Sequence, residues 1–145
     1  MKLVEYVTAD EVRKVCSELN IRDWSALTKP KVPPEEARVI LAEMNAEKMD
    51  IPLEDFRQGL EVELEHGTRF EDANVTNNHP ILTGKIVLAH LKESLDYYKR
   101  LEVAEIEGDL LKAAVSNDSA KMVALYRKLI NARALLCRAE SGSVK

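Results

Sequence analysis

The sequence predicts an all-α protein, a compact bundle of five or six helices built around an antiparallel helix hairpin at about 53–107. Three observations predict it. Apolar side chains recur at spacings of three and four residues along most of the chain, the period of one helix face. Only five glycines interrupt 145 residues, and the apolar share of 46% is built mainly from aliphatic residues because aromatics supply just 5%. Helix start and stop residues stand where each apolar stripe begins and ends.

The elements follow in order. Thr8-Ala9-Asp10-Glu11 reads as a capping box, with Val7 and Val12 placed as a hydrophobic staple. Val12, Val15, Cys16 and Leu19 then share one face of a short first helix. Trp24 and the proline-bearing stretch 30–34 form a connector. Pro34 suits a first helical turn, and Glu35 and Glu36 complement the helix dipole there. Ala37, Ile40, Leu41 and Met44 give the second helix its stripe. After Pro52 a third helix carries Leu53, Phe56, Leu60 and Leu64 and stops at Gly67. A polar loop at 68–79 leads to a fourth helix at about 80–107, with a bend at Gly108-Asp109. Ser116-Asn117-Asp118-Ser119 supplies turn and capping residues for a last helix at about 119–139. Residues 141–145 read as a loose tail. The whole is one domain, 1–145: N-terminal helices at 1–52, the hairpin at 53–107 and a helical extension at 108–145.

Composition narrows the function classes. With 32% charged residues beside that apolar share, the chain is globular in composition. No apolar run approaches a membrane span, and 1–7 lacks a secretory signal. Two cysteines, Cys16 and Cys137, make no disulfide framework and no CxxC site. A cytoplasmic location is the expectation. A net charge of −4 disfavours nucleic acid, and the basic residues Lys121, Arg127, Lys128 and Arg138 are not interleaved with aromatics. Charge is uneven: acids dominate 50–72 and bases dominate 117–145, the pattern of two surfaces that meet within or between molecules.

The unusual residues gather on the third and fourth helices. Glu63-x-x-His66 puts a carboxylate and an imidazole one turn apart at the edge of the third helix's stripe, while Glu61 and Glu65 face outward. Thr83, Ile86, Val87, His90, Ser94, Tyr97 and Leu101 share a face of the fourth helix, with His90 near its centre and Glu93 on its flank. Two readings compete. In one, Glu63, His90 and Tyr97 form a buried hydrogen-bond network that sets helix register. In the other, Glu63, His66, His90 and Glu93 bind iron, manganese or zinc, as carboxylates and imidazoles do in helical bundles. A symmetric hairpin would leave the two Glu/His pairs about 9 Å apart, so the loop must stagger the helices for either reading. No nucleophile, phosphate loop or oxyanion elbow surrounds them, so no catalytic residue is assigned. Asp72-x-Asn74-x-Thr76 opens like a calcium loop, but Asn77 and Thr83 stand where glycine and glutamate are required, so that reading fails.

Four segments together, Gly59-Leu-Glu-Val-Glu-Leu-Glu-His-Gly67, Asn74-Val-Thr76, Leu82-Thr-Gly-Lys-Ile-Val-Leu-Ala-His-Leu-Lys-Glu93 and Asp96-Tyr-Tyr-Lys-Arg-Leu101, resemble a family of uncharacterised microbial proteins. The resemblance covers roughly 52–107 and implies a helix–loop–helix core, with the second helix and everything after Glu107 as additions. It implies no activity or ligand.

The functional expectation is a non-enzymatic interaction or assembly module without a cofactor. It would associate with itself through Leu125, Tyr126, Leu129, Ile130 and Leu136, because the apolar residues of the last helix cover about half its circumference. A subunit of a larger, phage-type particle belongs to this class. The alternative is the metal-binding helical protein.

Overall fold

A computed structural model of the chain describes residues 7–144, which form six α-helices and two single 3-10 turns, with no strand among them. No helix is long and apolar enough to cross a membrane. The chain divides into two compact units, Met1–Glu93 and Ser94–Lys145. The reading of 1–7 as free of a signal falls, for residues 1–6, outside the described range.

In the first unit, α1 spans Ala9–Glu18, and Thr8 caps it by accepting a hydrogen bond from the Glu11 amide at 3.2 Å. Val12 and Cys16 are buried, as their spacing predicts, and Asn20 turns the chain away at φ 53°. A 3-10 turn at Trp24–Ala26 buries the indole completely. The second helix, α2 (Pro34–Met44), starts on Pro34 and buries Ala37, Ile40 and Met44. Glu36 departs from expectation. It is in register with Ile40 and Met44, four and eight residues on, and it is 5% exposed. Its carboxylate accepts from the Trp24 indole N–H at 3.0 Å, from the Arg22 amide at 3.1 Å and from the Arg22 guanidinium at 2.7 Å. Burial alone would raise the Glu36 carboxyl, but these hydrogen bonds outweigh it and hold the group below the ordinary carboxylate value.

The third helix, α3 (Leu53–Arg69), buries Phe56, Gly59, Leu60 and Leu64. Glu61 does not face open solvent. It is half-buried and ties α3 to the connector, accepting from the Val32 amide at 3.1 Å, Lys31 at 3.0 Å and Arg57 at 2.6 Å. Gly67 does not end the helix, which runs two residues further. The glycine serves close approach: a Cβ there would overlap the Asn78 Oδ1 and lie 2.8 Å from Asn74 Nδ2. After the 3-10 turn at Glu71–Ala73, Asn77 and Asn78 both take positive φ, near 51° and 59°. His79, 9% exposed, then caps α4 (Pro80–Glu93), its Nδ1 accepting from the amides of Ile81 at 3.2 Å and Leu82 at 3.4 Å. Pro80, Thr83, Gly84, Val87 and Leu91 form the buried side of α4. A Cβ on Gly84 would lie 2.9 Å from both Ile40 Cγ2 and Met44 Sδ, which is how closely α2 and α4 approach. Helices α2, α3 and α4 pack mutually, and α1 touches α4.

The fourth helix is shorter than its apolar period suggested. It stops at Glu93, where Ser94 donates to the Asp96 carboxylate and Asp96 opens α5 (Tyr97–Val115). Arg100 grips the same carboxylate at 2.7 Å and holds the Asp96 carboxyl below its ordinary value. No bend follows at Gly108-Asp109, because α5 continues through them. Asn117, at φ 54°, and Asp118, which accepts from the Lys121 amide at 3.0 Å, begin α6 (Ser119–Ser143). The expected tail is helical to Ser143, with the Ser141 hydroxyl donating back to the Cys137 carbonyl at 2.8 Å. Residue 145 lies outside the described range.

Within the second unit α5 and α6 pack on each other. Tyr98 and Ala113 are buried on α5, and Leu125, Leu129 and Ala132 on α6. Ion pairs from Arg133 to Glu107 at 2.5 Å and from Arg100 to Glu140 at 2.9 Å join the two helices.

Candidate functional site

The stagger required for Glu63 to meet His90 is present. Glu63 lies on the flank of the α3 stripe, its side chain 13% exposed, and Oε1 is 3.7 Å from His90 Nε2 on α4. The other oxygen, Oε2, is 3.9 Å from Nδ1 of His66, one turn along α3. One carboxylate therefore sits between two imidazoles, at ion-pair range from each and beyond an ordinary hydrogen bond. The ten-residue connection of loop and 3-10 turn makes this possible by sliding α4 along α3 instead of meeting it at mirror-image heights.

The surroundings differ from the expectation in two respects. His90 is not central on α4. Val87, Gly84 and Leu91 occupy the middle of the buried side, which leaves the His90 imidazole 31% exposed at its edge. His66 is more open still, at 67%. Glu93 is exposed, and among the described residues no three His, Cys, Asp or Glu side chains converge into a cluster able to hold a metal ion. Tyr97 belongs to the second unit, in the first turn of α5, where it is half-buried with its ring edge-on to Tyr98 at 5.2 Å between centroids.

Beside Glu63 lies a pocket of about 200 Å³, lined on α3 by Glu63, His66 and Gly67, on α4 by Thr83 and Ile86, and on the loop by 73–76. Asn74 braces that loop, donating from Nδ2 to Asn78 Oδ1 at 3.1 Å and to the Gly67 carbonyl at 3.4 Å. Asn77 reaches the Val7 carbonyl at 3.0 Å. Read from the sequence, Asn74 and Thr76 are turn residues, and Gly67 a helix stop. Their joint place at the pocket follows from the loop folding back over the last turn of α3. The cluster of Asn74, Thr76, Asn77 and Asn78 was the available signal, since such side chains brace a turn through their own hydrogen bonds. Chemically the arrangement offers one carboxylate, two imidazoles and two threonine hydroxyls, suited to binding or proton exchange.

On the second unit the five expected contact residues separate. Leu125 and Leu129 are buried within the unit and Leu136 is half-buried, whereas Tyr126 and Ile130 are 56% and 54% exposed. Leu111 and Val115 on α5, and Val123 and Leu135 on α6, are also exposed. A shallow depression of about 370 Å³ lined by Leu110, Met122, Val123, Tyr126 and Arg127 lies between the two helices.

A family model described as a protein of unknown function (DUF5661) matches residues 12–107, about two-thirds of the chain. The match includes α2, so that helix belongs to the shared part and is not an addition to it. No curated protein and no solved structure matches the chain.

Proposed function

This chain belongs to the DUF5661 family of proteins of unknown function, and we propose that it is a non-enzymatic interaction module that associates with itself through its C-terminal helix pair. The supporting observation is the outward apolar surface of α5 and α6: Leu111, Val115, Val123, Tyr126, Ile130 and Leu135 are all about half exposed or more. Scattered single apolar residues are normal on a surface, but Val123, Tyr126 and Ile130 share one exposed face of α6. Burying the exposed part of each such side chain stabilises by about 1–2 kcal/mol. Several together offset the roughly 4–15 kcal/mol lost when two molecules give up independent motion. Tyr126 and Ile130 lead the contact, while Leu125 and Leu129 hold the helix pair together beneath it. With Cys16 buried and Cys137 exposed, both as free thiols, a reducing cytoplasmic setting fits the chain.

Sedimentation equilibrium across a wide concentration range tests the proposal. The expected mass rises above one chain, and Tyr126→Glu with Ile130→Glu returns it to one chain. A wild type that stays monomeric throughout overturns it.

One observation favours a second reading, a divalent metal (iron, manganese or zinc) held at Glu63: both imidazoles stand within 4 Å of its carboxylate. Exposed Glu93 and the lack of a three-residue cluster among the described residues weigh against it. Elemental analysis of purified protein decides, since stoichiometric metal lost in His90→Ala would establish this reading.

A further inference from the structure

Among the described residues of the first unit, the buried polar side chains are paired except for Thr83. Glu36 accepts from Arg22 and Trp24, Asn78 from Asn74, and His79 from the amides that open α4. Thr83, on the buried side of α4 and 2% exposed, makes no side-chain hydrogen bond with another described residue. A hydroxyl so placed lowers stability unless something pairs with it, and a valine of similar shape would avoid the loss. Among the described residues no unpartnered side-chain oxygen is sealed from solvent. The Thr83 hydroxyl is therefore open on one side, and the space beside it is the pocket of about 200 Å³ that Glu63 also lines.

Every wall of this pocket belongs to the first unit. Glu63 brings a carboxylate from α3, and Thr83 brings the open hydroxyl from α4. His90, which meets that carboxylate, is seven residues from Thr83, about 10 Å along α4, so carboxylate and hydroxyl stand toward opposite ends. Ile86, one turn from Thr83, and Val75 supply apolar surface. The volume suits a molecule of about six to eight non-hydrogen atoms, since benzene fills an engineered cavity of roughly 150 Å³. Charge selects among such molecules. The carboxylate repels an anion, and the described residues gather no three-ligand set for a metal ion. An alkylammonium asks for less, namely acceptors at its nitrogen and apolar walls along its carbons.

We propose that this pocket binds a small linear organic ammonium ion with a polar far end, the ammonium donating to the Glu63 carboxylate and the other end pairing with the Thr83 hydroxyl. The site lies on the first unit, so the proposal stands apart from self-association through α5 and α6. It gives Glu63 an organic cation in place of a metal.

Titrating the linear amino alcohol aminobutanol into isotope-labelled full-length protein tests it by NMR, at about pH 8, where an ordinary imidazole is uncharged. Saturable shifts are expected at the amides of Gly67, Val75 and Thr83, with a dissociation constant on the order of 1 mM for so small a ligand. Glu63→Gln should weaken binding about tenfold through loss of a charge-assisted hydrogen bond. Thr83→Val should weaken it about threefold, yet leave unchanged the affinity for n-butylamine, which has no hydroxyl. Glu65→Gln, at an exposed position nearby, should change neither. Circular dichroism checks that each variant keeps its helices. The proposal is overturned if wild type shows no saturable shift, if butyrate binds as well as aminobutanol, or if Glu63→Gln keeps wild-type affinity. The butyrate comparison needs no variant and decides even where one fails to fold. Zinc binding that aminobutanol cannot displace would also overturn it, in favour of the metal.

Discussion

The two units use apolar residues in opposite ways. In the first, Trp24, Phe56, Ile40, Leu60, Leu64 and Leu91 are fully enclosed by their own chain, and the buried polar groups are paired, Glu36 with Arg22 and Trp24, His79 with the amides that open α4. In the second, few side chains are buried and Leu111, Val115, Val123, Tyr126 and Ile130 point outward. Four helices and a connector can close a core around a tryptophan. Two helices touching along one seam cannot, so half their apolar surface is left for something else. The difference teaches that four packed helices enclose their large apolar side chains, whereas a helix pair leaves several of its own in solvent.

The largest effect expected to probe this contrast is Phe56→Ala. Deleting a fully buried ring should lower unfolding stability by about 3–5 kcal/mol in denaturant titration. Ile130→Ala, measured in dilute protein, should change it by no more than about 0.5 kcal/mol. Equal losses at the two positions would break the comparison. Next, Glu36→Gln should cost about 2 kcal/mol, because it takes a charged acceptor from Arg22 and weakens the bond to the buried Trp24 indole.

Two glycines sharpen the contrast with one substitution. Gly67→Ala should destabilise by about 1 kcal/mol or more, since the added methyl collides with Asn74 and Asn78. Gly108→Ala should instead stabilise dilute protein by about 0.5–1 kcal/mol, because α5 gains a better helix former in open space. Thermal melts of both variants decide, and the same sign at both sites would contradict the account.

The smallest effect is in pH. Burial holds the His79 imidazole below its ordinary value of 6.5, with Glu11 opposing that shift more weakly. The unfolded chain therefore binds this proton more readily. His79 contributes stability that is fully present above 6.5 and is lost as pH falls below it, where an imidazolium can no longer accept from the Ile81 and Leu82 amides. Melting temperature should fall across that window, and His79→Asn, which keeps a capping oxygen but cannot titrate there, should flatten the fall. An unchanged slope would remove His79 from the capping role.

Much of the fold was legible in residue order. The stripes of α1, α2 and α3, the Thr8 and Asp118 caps and the all-helical class of five or six helices follow from period and capping chemistry, which act over one or two turns. The break at 94–96 was not legible, because apolar periodicity continues across it and only the Ser94–Asp96–Arg100 contacts reveal the cap. At the candidate site, periodicity placed Glu63 and His90 near the facing sides of α3 and α4, but their meeting needed a stagger that no residue spacing specifies. Glu36 stands in the first turn of α2 as its sequence position implied, but its burial against Trp24 and Arg22, hinted at by its register with Ile40 and Met44, went unread.

What the amino-acid order determined by itself was the helical class, the faces of each helix and the residue types within reach of one another along them. Those depend on short-range geometry that any α-helix shares. Only the tertiary structure decided the stagger of α3 and α4 that brings Glu63 between two imidazoles, the close approach of Asn74 and Asn78 that favours glycine at 67, and the division of the last helix into an inner and an outer stripe. Each of these depends on where a second element lies, and no local period encodes that.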